Sequence, residues 1–394
     1  ANVNTIRTSH YPREAKMYSI FDHYGLYIMD EADVECHGSW NDNGNSCISS
    51  IASWKPQYID RTVRMVIRDR NYPSVIFWSL GNESGYGQNH EASFAATREL
   101  DPRPIHYEGA TRAGGQATEI WSKMYPGLDD VEGNGNRNWR SQPYFMCEYA
   151  HAMGNAVGNL QEYWDIVESS RYGIGGCIWD WVDQSVYAAN DIKNGTLIQN
   201  GQHKFTTGYD YPGPHQGNFC NNGLVTADRA WSAKLTEVKK VYQNIKFNRF
   251  STANKTLQFS NAYNFTNTDN FILKYTVLEN GVAVETGQVD LPSTNPGLAG
   301  QMTIPYTIQP KADVETLLNL EVCLKEATPY AEAGYTVATQ QYTLRERSAK
   351  LPEVAAANDP LVIEESLMNT TVSNSKMTIV FNKNGSINSW KVAG

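Results

Sequence analysis

The hydrophobic pattern of residues 1–243 alternates between two periods. Short apolar runs of strand length recur between stretches in which apolar residues follow the i, i+3, i+4 spacing of a helix. The predicted strands are residues 4–8, 26–30, 75–80, 105–108, 120–124, 144–148 and 176–181. The predicted helices are residues 54–70, 91–100, 160–169 and 232–242. Strands that alternate with helices predict a parallel sheet with helices packed against it.

Seven predicted strands are one short of the eight that close a (β/α)8 TIM barrel. We therefore predict a multidomain chain in which residues 1–243 form such a barrel, lacking its first strand here. In these barrels the chemistry takes place at the C-terminal ends of the strands. The side chains expected at those ends are Arg7, Asp30, Glu83, Tyr125, Glu148 and Trp179.

The pattern changes in residues 244–346, which contain no Trp. Alternating runs at residues 256–259 and 271–278 indicate strands, and Asn280-Gly281 is typical of the turn in a tight hairpin. Strands at this spacing predict an immunoglobulin-like β-sandwich.

The last 48 residues, 347–394, are interpreted as a linker followed by the beginning of a further β domain. Pro352 and three consecutive alanines, residues 355–357, mark the linker, residues 347–359. Residues 378–382 and 385–392 are predicted to form a hairpin around Asn384-Gly385.

Composition excludes several function classes. With 41% apolar and 19% charged residues the chain is globular. A net charge of −9 argues against nucleic-acid or anionic-membrane partners, and no apolar run approaches the length of a membrane span. The six cysteines include no Cys-x-x-Cys pair, so a thiolate metal site is not expected. Cys147 and Cys177 are predicted core residues, and whether Cys36 pairs with Cys47 stays open.

Two apolar strands end at a glutamate, Glu83 and Glu148. One such residue alone is more often a solvated loop residue. Paired carboxylates at strand ends, however, are the machinery of a glycosidase, in which one protonates the leaving oxygen and the other attacks the sugar or activates water. Asn82, beside Glu83, suits a hydrogen bond to a sugar 2-hydroxyl.

A second cluster, residues 30–38, packs four acids and His37 into nine positions. On extended backbone Glu35 and His37 point the same way. Such ligands suit Mg²⁺, which beside Glu83 would orient that carboxylate. The alternative is an acidic loop that binds no specific ion.

Five further side chains have possible roles near these carboxylates. Trp179 suits a flat platform for a sugar face, with core packing as the alternative. Tyr125 is a candidate hydrogen-bond donor to the nucleophilic carboxylate. Arg7 is a candidate for keeping that carboxylate ionised by lowering its pKa. His10 and His151, each taken alone, are more often structural.

Seven segments together resemble the large bacterial β-galactosidases of glycoside hydrolase family 2. They are residues 9–12, 30–38, 68–75, 79–85, 147–155, 179–184 and 219–225. The resemblance implies a retaining β-galactosidase with Glu83 as acid/base and Glu148 as nucleophile, attended by Tyr125 and Arg7. The positions that match substrate contacts are Asn82, His10, His151, Trp179, Phe219 and Asn222. It also implies Mg²⁺ on Glu35, His37 and Glu83, and part of a Na⁺ site at the Phe219 carbonyl and Asn222.

The resemblance further implies that the chain is a piece of a longer, homo-oligomeric enzyme acting on a β-galactoside such as lactose. The compartment stays open between cytoplasm and periplasm. Two alternatives remain at this point. One is another family 2 enzyme, a β-glucuronidase or β-mannosidase, and the other is an inactive carbohydrate-binding fragment.

Overall fold

Seven parallel strands form the first unit of the protein. The computed structural model describes residues 1–37, 47–139, 141–348 and 358–392. The strands are β1 Thr5–Arg7, β2 Tyr27–Glu31, β3 Val75–Ser79, β4 Ile105–His106, β5 Trp121–Met124, β6 Tyr144–Tyr149 and β7 Gly173–Ile178. β1 to β4 pair in order, as do β5 to β7, and the Glu119 amide donates to the Ile105 carbonyl at 2.8 Å between the two sets. The seven predicted strands are confirmed, although β7 begins three residues before the predicted residue 176.

Helices follow the strands in the chain. They are α1 Ala15–Tyr24, α2 Cys47–Ser50, α3 Lys55–Asp69, α4 Gln88–Leu100, α5 Glu108–Ala113, α6 Leu128–Gly135, α7 Leu160–Ser169, α8 Ala189–Asn194 and α9 Ala233–Val241. The four predicted helices, α3, α4, α7 and α9, are confirmed. The pattern missed α1 because it buries only Tyr18 and Phe21, too few positions to mark a helical stripe.

Side-chain alternation along the strands separates the barrel interior from the layer beneath the helices. Met29, Phe145 and Cys147 point inward and pack together, so the prediction that Cys147 is a core residue is confirmed. Glu31 shares the inward face of β2, whereas Asp30 points outward and accepts a hydrogen bond from the Tyr18 hydroxyl of α1 at 2.5 Å. Asp30 thus stands at the end of β2, as predicted, but its side chain points away from the barrel interior.

The second unit is a β-sandwich of two antiparallel sheets. Its strands are β12 Ile245–Ser251, β13 Thr256–Asn261, β14 Phe271–Glu279, β15 Val282–Asp290, β16 Ala299–Thr303, β17 Thr316–Leu324 and β18 Thr336–Arg345. One sheet has the order β12-β13-β16 and the other β15-β14-β17-β18, with Phe259, Leu273 and Leu318 in the core between them. Asn280 and Gly281 both have positive φ, 47° and 80°, as the predicted hairpin turn requires.

The barrel and the sandwich contact each other through α9 and β18. Lys240 Nζ donates to Gln340 Oε1 at 2.7 Å, and the Thr339 amide donates to Gln243 Oε1 at 3.0 Å. From the start of the chain, Asn2 Nδ2 donates to the Val337 carbonyl at 3.1 Å. These polar contacts anchor the sandwich beside the barrel.

The end of the chain forms an antiparallel sheet of four strands. They are β19 Val362–Glu365, β20 Asn369–Ser373, β21 Met377–Asn382 and β22 Ile387–Val392. Their pairing in order confirms the predicted hairpin of β21 and β22. Most of the predicted linker, residues 349–357, lies outside the described part of the chain, as does the side chain of Cys47.

Between β7 and α9 lie four two-residue strands: β8 Val186–Tyr187, β9 Ile198–Gln199, β10 Gln202–His203 and β11 Phe205–Thr206. No helix in the described ranges is long and apolar enough to span a bilayer.

Candidate active site

The predicted side chains meet where the parallel strands end. Arg7 is the last residue of β1 and Glu148 the last but one of β6. Tyr125 follows β5 directly, and Glu83 stands four residues after β3. Because all strands of a parallel barrel end on one face, residues that are far apart in the chain become neighbours there.

Arg7 is the centre of the site. It is buried, and each of its five N–H groups has an acceptor. Nε and Nη2 donate to the two oxygens of Glu31 at 2.7 and 3.1 Å. Nη1 donates to Glu148 Oε1 at 2.7 Å and to the Cys147 carbonyl at 3.1 Å, and Nη2 also donates to Asn82 Oδ1 at 2.9 Å. A guanidinium saturated in this way has one orientation, which fixes the carboxylates around it.

Glu148 is held at both carboxylate oxygens. Oε1 accepts from Arg7, and Oε2 accepts from the Tyr125 hydroxyl at 2.8 Å. The Tyr125 amide also donates to the Glu148 carbonyl at 2.8 Å, which ties the two backbones together. Burial, and then the charge of Glu148, raise the pKa of Tyr125, so its hydroxyl keeps the proton that it donates. Glu148 is 4% exposed, so this carboxylate is oriented and nearly dry.

The segment that carries Glu83 is placed by close backbone packing. Gly81 has a φ of 127°, and a Cβ there would lie 2.4 Å from the Val34 carbonyl oxygen. The backbone N–H of Asn82 donates to that carbonyl at 2.9 Å. The next residue, Glu83, has a positive φ of 28°. Positive φ in a residue with a side chain is a strained conformation that surrounding structure must impose. Packing against Val34 therefore decides where Glu83 points.

Glu35, His37 and Glu83 lie together, as the sequence predicts. His37 stands between the two carboxylates, with Nδ1 3.0 Å from Glu35 Oε1 and Nε2 3.0 Å from Glu83 Oε2. Asn82 Nδ2 donates to Glu35 Oε2 at 2.7 Å. Burial raises the pKa of Glu35, and the charge of Glu83 adds to the increase. Within the described residues, no group of three or more His, Cys, Asp or Glu side chains is arranged to hold a metal ion. The donor types fit Mg²⁺, but the site stays a prediction.

His10 and Trp179 form one side of the site. Their rings stack with centroids 5.0 Å apart and planes 15° from parallel, so one face of Trp179 contacts His10. His10 Nδ1 lies 2.8 Å from Glu31 Oε1, and its Nε2 lies 4.0 Å from Glu148 Oε1. One face of Trp179 thus packs against His10 beside the carboxylate pair, and its role as a platform for a sugar stays a prediction.

Three further candidates lie on the loops beyond β6 and β7. The His151 ring is 5.7 Å from that of Tyr125 and 5.6 Å from that of Phe219. Asn222 Nδ2 donates to the Phe219 carbonyl at 2.6 Å, and Asn222 Oδ1 is buried without a hydrogen-bond partner in the described structure. A buried oxygen of this kind suits a cation, so the donors fit the predicted Na⁺ site, which the structure does not test.

A cleft of about 850 Å³ opens beside Glu83 and Tyr125. Glu108 and Arg112 also line it, with an ion-pair distance of 3.2 Å between them. Burial raises the pKa of Glu108, which is 8% exposed. Our sequence reasoning missed Glu108, although it follows a short apolar strand just as Glu83 and Glu148 do. It also missed the part that Glu31 has in the site.

Comparison with known proteins agrees with this geometry. Residues 1–247 match the family described as glycosyl hydrolases family 2, TIM barrel domain, and residues 257–345 match β-galactosidase, domain 4. A β-galactosidase from Photobacterium profundum is 38% identical over 380 residues, which are 92% of this chain and 36% of that protein. Another from Priestia megaterium is 36% identical over 390 residues, 97% of this chain and 37% of that protein.

The chain thus spans a little over a third of the length of these relatives. Among solved structures, a β-glucuronidase from Bacteroides uniformis aligns with 86% of this chain and 41% of its own, at 14% identity and a TM-score of 0.43. A likeness of that size supports no argument about this chain.

Proposed function

The chain belongs to family 2 of the glycosyl hydrolases, and from that premise we propose that it hydrolyses terminal β-D-galactosides with retention at the anomeric carbon. The observation that carries the proposal is the double anchoring of Glu148 by Arg7 and Tyr125. The identity of 36–38% to proteins named β-galactosidase supports the choice of sugar. Lactose is the natural disaccharide to test.

The reaction proceeds in two displacements. Glu148 attacks the anomeric carbon while Glu83 gives its proton to the leaving oxygen, which yields a covalent glycosyl-enzyme and a free alcohol. Glu83, now ionised, then removes a proton from water, and the resulting hydroxide displaces Glu148. The Tyr125 hydroxyl and the Arg7 guanidinium orient the attacking carboxylate through both of its oxygens. Asn82 carries an amide on the same segment as Glu83, where it suits the sugar 2-hydroxyl.

The experiment compares p-nitrophenyl β-galactoside, β-glucuronide and β-mannoside as substrates of the native protein. We expect the galactoside to have the highest kcat/KM. Glu148→Gln should lower kcat by about 10⁴-fold or more because no nucleophile remains. Glu132→Gln, an exposed residue of α6, is the matched control and should leave kcat unchanged. Preference for the glucuronide or mannoside would replace the proposed sugar, and no turnover of any glycoside would refute hydrolysis.

We also propose that Mg²⁺ is held by Glu35, His37 and Glu83, where it would orient the acid/base carboxylate and adjust its pKa. The support is the approach of both carboxylates to one imidazole. Na⁺ at the Phe219 carbonyl and Asn222 is the weaker companion proposal.

Removal of Mg²⁺ by EDTA should slow turnover and shift the pH profile without abolishing substrate binding. Glu35→Gln should have the same effect, and the two treatments should not add because both act on one site. Titration calorimetry with Mg²⁺ measures the ion directly. If EDTA changes neither activity nor its pH dependence, and calorimetry detects no binding, the cluster is an acidic loop.

A further inference from the structure

A chain of buried hydrogen bonds runs beneath the proposed active site from β5 to β2. Ser122 Oγ lies 2.7 Å from His106 Nε2, and His106 Nδ1 lies 3.0 Å from Ser79 Oγ. Ser79 Oγ donates to Glu31 Oε2 at 2.8 Å. All four residues are fully buried. The chain therefore links four adjacent strands to one carboxylate inside the barrel.

The direction of these hydrogen bonds follows from the number of protons available. An ionised Glu31 only accepts, so the single proton of the Ser79 hydroxyl points to it. Ser79 Oγ must then accept from His106, which places the His106 proton on Nδ1. Burial lowers the pKa of His106 to about 3, so the ring is neutral and its Nε2 accepts from the Ser122 hydroxyl. Every donor in the chain thus points toward Glu31.

Glu31 receives four hydrogen bonds in all. Oε2 accepts from Ser79 and from Arg7 Nε, while Oε1 accepts from Arg7 Nη2 and from His10 Nδ1 at 2.8 Å. Burial by itself would raise the pKa of Glu31, but Arg7 and then His10 hold it at about 2. The carboxylate is therefore ionised, saturated and immobile.

We propose that Glu31 is a positioning residue, which aims Arg7 at Glu148 and keeps the His10 proton on Nδ1. Arg7 Nε and Nη2 form a fork on Glu31, and this fork directs Nη1 toward Glu148. His10 Nδ1 faces Glu31, so the other ring nitrogen, Nε2, lies on the side of Glu148 and Asn82. Glu31 does not touch the proposed nucleophile itself and acts through these two neighbours.

The orientation of Arg7 depends on the two carboxylates beside it. Arg7 is fully buried between two carboxylates, and its orientation depends on both. Without Glu31, the guanidinium would lose the two of its five hydrogen bonds that form this fork, and Glu148 would be the one carboxylate still bonded to it. A buried guanidinium that pivots toward Glu148 no longer presents that carboxylate in the attacking geometry, and displacements of about 1 Å can cost about 100-fold in rate.

The inference rests on the proposed function, but its first test does not require turnover. Nitrogen-15 NMR of the histidine rings in the native, ligand-free protein should show His106 neutral with its proton on Nδ1, and His10 protonated on Nδ1. A His106 ring that is charged at pH 7, or protonated only on Nε2, would overturn the hydrogen-bond chain whether or not the protein hydrolyses galactosides.

The second test uses kinetics on p-nitrophenyl β-galactoside. Glu31→Gln should lower kcat by about 100-fold, with a smaller change in KM, because it displaces the group that orients the nucleophile. Ser79→Ala, which removes one bond to Glu31 and is milder for folding, should lower kcat by about tenfold. Ser93→Ala is the matched control, since its buried hydroxyl on α4 has no hydrogen-bond partner in the described structure.

A double-mutant cycle separates positioning from general destabilisation. If Glu31 acts through Arg7, the losses from Glu31→Gln and Arg7→Lys should not multiply in the double variant. Losses that do multiply, or a Ser79→Ala variant with the kcat of the wild type, would overturn the proposal. A wild-type protein that is inactive on every glycoside would instead refute the proposed function. In that case the NMR experiment alone would test the hydrogen-bond chain from Ser122 to Glu31.

Discussion

Asp30 gives the sharpest stability prediction of the structure. Its side chain lies between β2 and the helices α1 and α3 and is fully buried. Oδ1 accepts from the Tyr18 hydroxyl at 2.5 Å and from Thr8 Oγ1 at 3.1 Å. The carboxylate of Asp69 is close by, and Arg68 occupies both of its oxygens at 2.7 Å. The buried carboxylates of Asp30 and Asp69 therefore lie together, and the cation beside them, Arg68, is already paired with Asp69.

Burial, and then the hydrogen bond with Asp69, raise the pKa of Asp30 to about 8 from an ordinary 3.8. The folded protein therefore keeps a proton that the unfolded chain loses. The stability from this proton is complete below about pH 4 and is lost as the pH rises to about 8. One pKa unit corresponds to about 1.4 kcal/mol of stability. Over the ~3 pH units between pH 4 and pH 7, the folded protein therefore loses roughly 4 kcal/mol of the stability that this proton provides.

Asp30→Asn tests this value. The amide oxygen still accepts from Tyr18, and the NH₂ group donates to Asp69 at any pH. We expect equal melting temperatures for variant and wild type near pH 4, and a variant that melts on the order of 10 °C higher at pH 8. Fluorescence suits the measurement because nine of the ten tryptophans lie in residues 1–243.

Asp60→Asn on α3 is the control, since that carboxylate and its partner Arg64 are both exposed and solvent screens their attraction. A difference between Asp30→Asn and wild type that is the same at pH 5 and pH 9 would refute the reasoning. A variant less stable than wild type at pH 8 would show that the fold prefers the charged carboxylate.

Two further predictions concern the residues around the carboxylate pair. Tyr125→Phe removes the hydroxyl that donates to Glu148 at 2.8 Å and should lower kcat by about 10–100-fold in steady-state assays; an unchanged kcat would contradict the anchoring role. Gly81→Ala should lower both the melting temperature and kcat/KM, because the new Cβ would lie 2.4 Å from the Val34 carbonyl oxygen at a φ of 127°. Gly127→Ala, where nothing lies within 4 Å of the new Cβ, should change neither, and equal behaviour of the two variants would rule out the backbone explanation.

The sequence predicted those parts of the fold and site whose signal is local. Apolar runs of strand length located β3 and β6, and each run ended at a glutamate that lies at the site. The same signal was present at Glu108, the last residue of the predicted strand 105–108, although that residue was not among the predicted site residues. Helix α1 was missed because only Tyr18 and Phe21 of its ten residues are buried.

The role of Glu31 could not be predicted from its neighbours in sequence. It stands directly beside Asp30, and both are buried acids at the end of β2. Only the alternation of side chains across the strand, together with the closure of the sheet, sends Glu31 inward to Arg7 and Asp30 outward to Tyr18. A shift of one residue in register would exchange the two.

By itself, the sequence determined which segments become strands and helices, and it placed carboxylates at the ends of two strands. It could do so because periodicity and chain order are local properties. The tertiary structure alone decided that Arg7 bonds both to Glu31 and to Glu148, which lies 141 positions further along the chain. It also decided that Ser122, on β5, begins a hydrogen-bond chain that ends on Glu31. Those contacts depend on which strands become neighbours and which face each side chain takes, and both are settled only when the parallel sheet curves around a shared core.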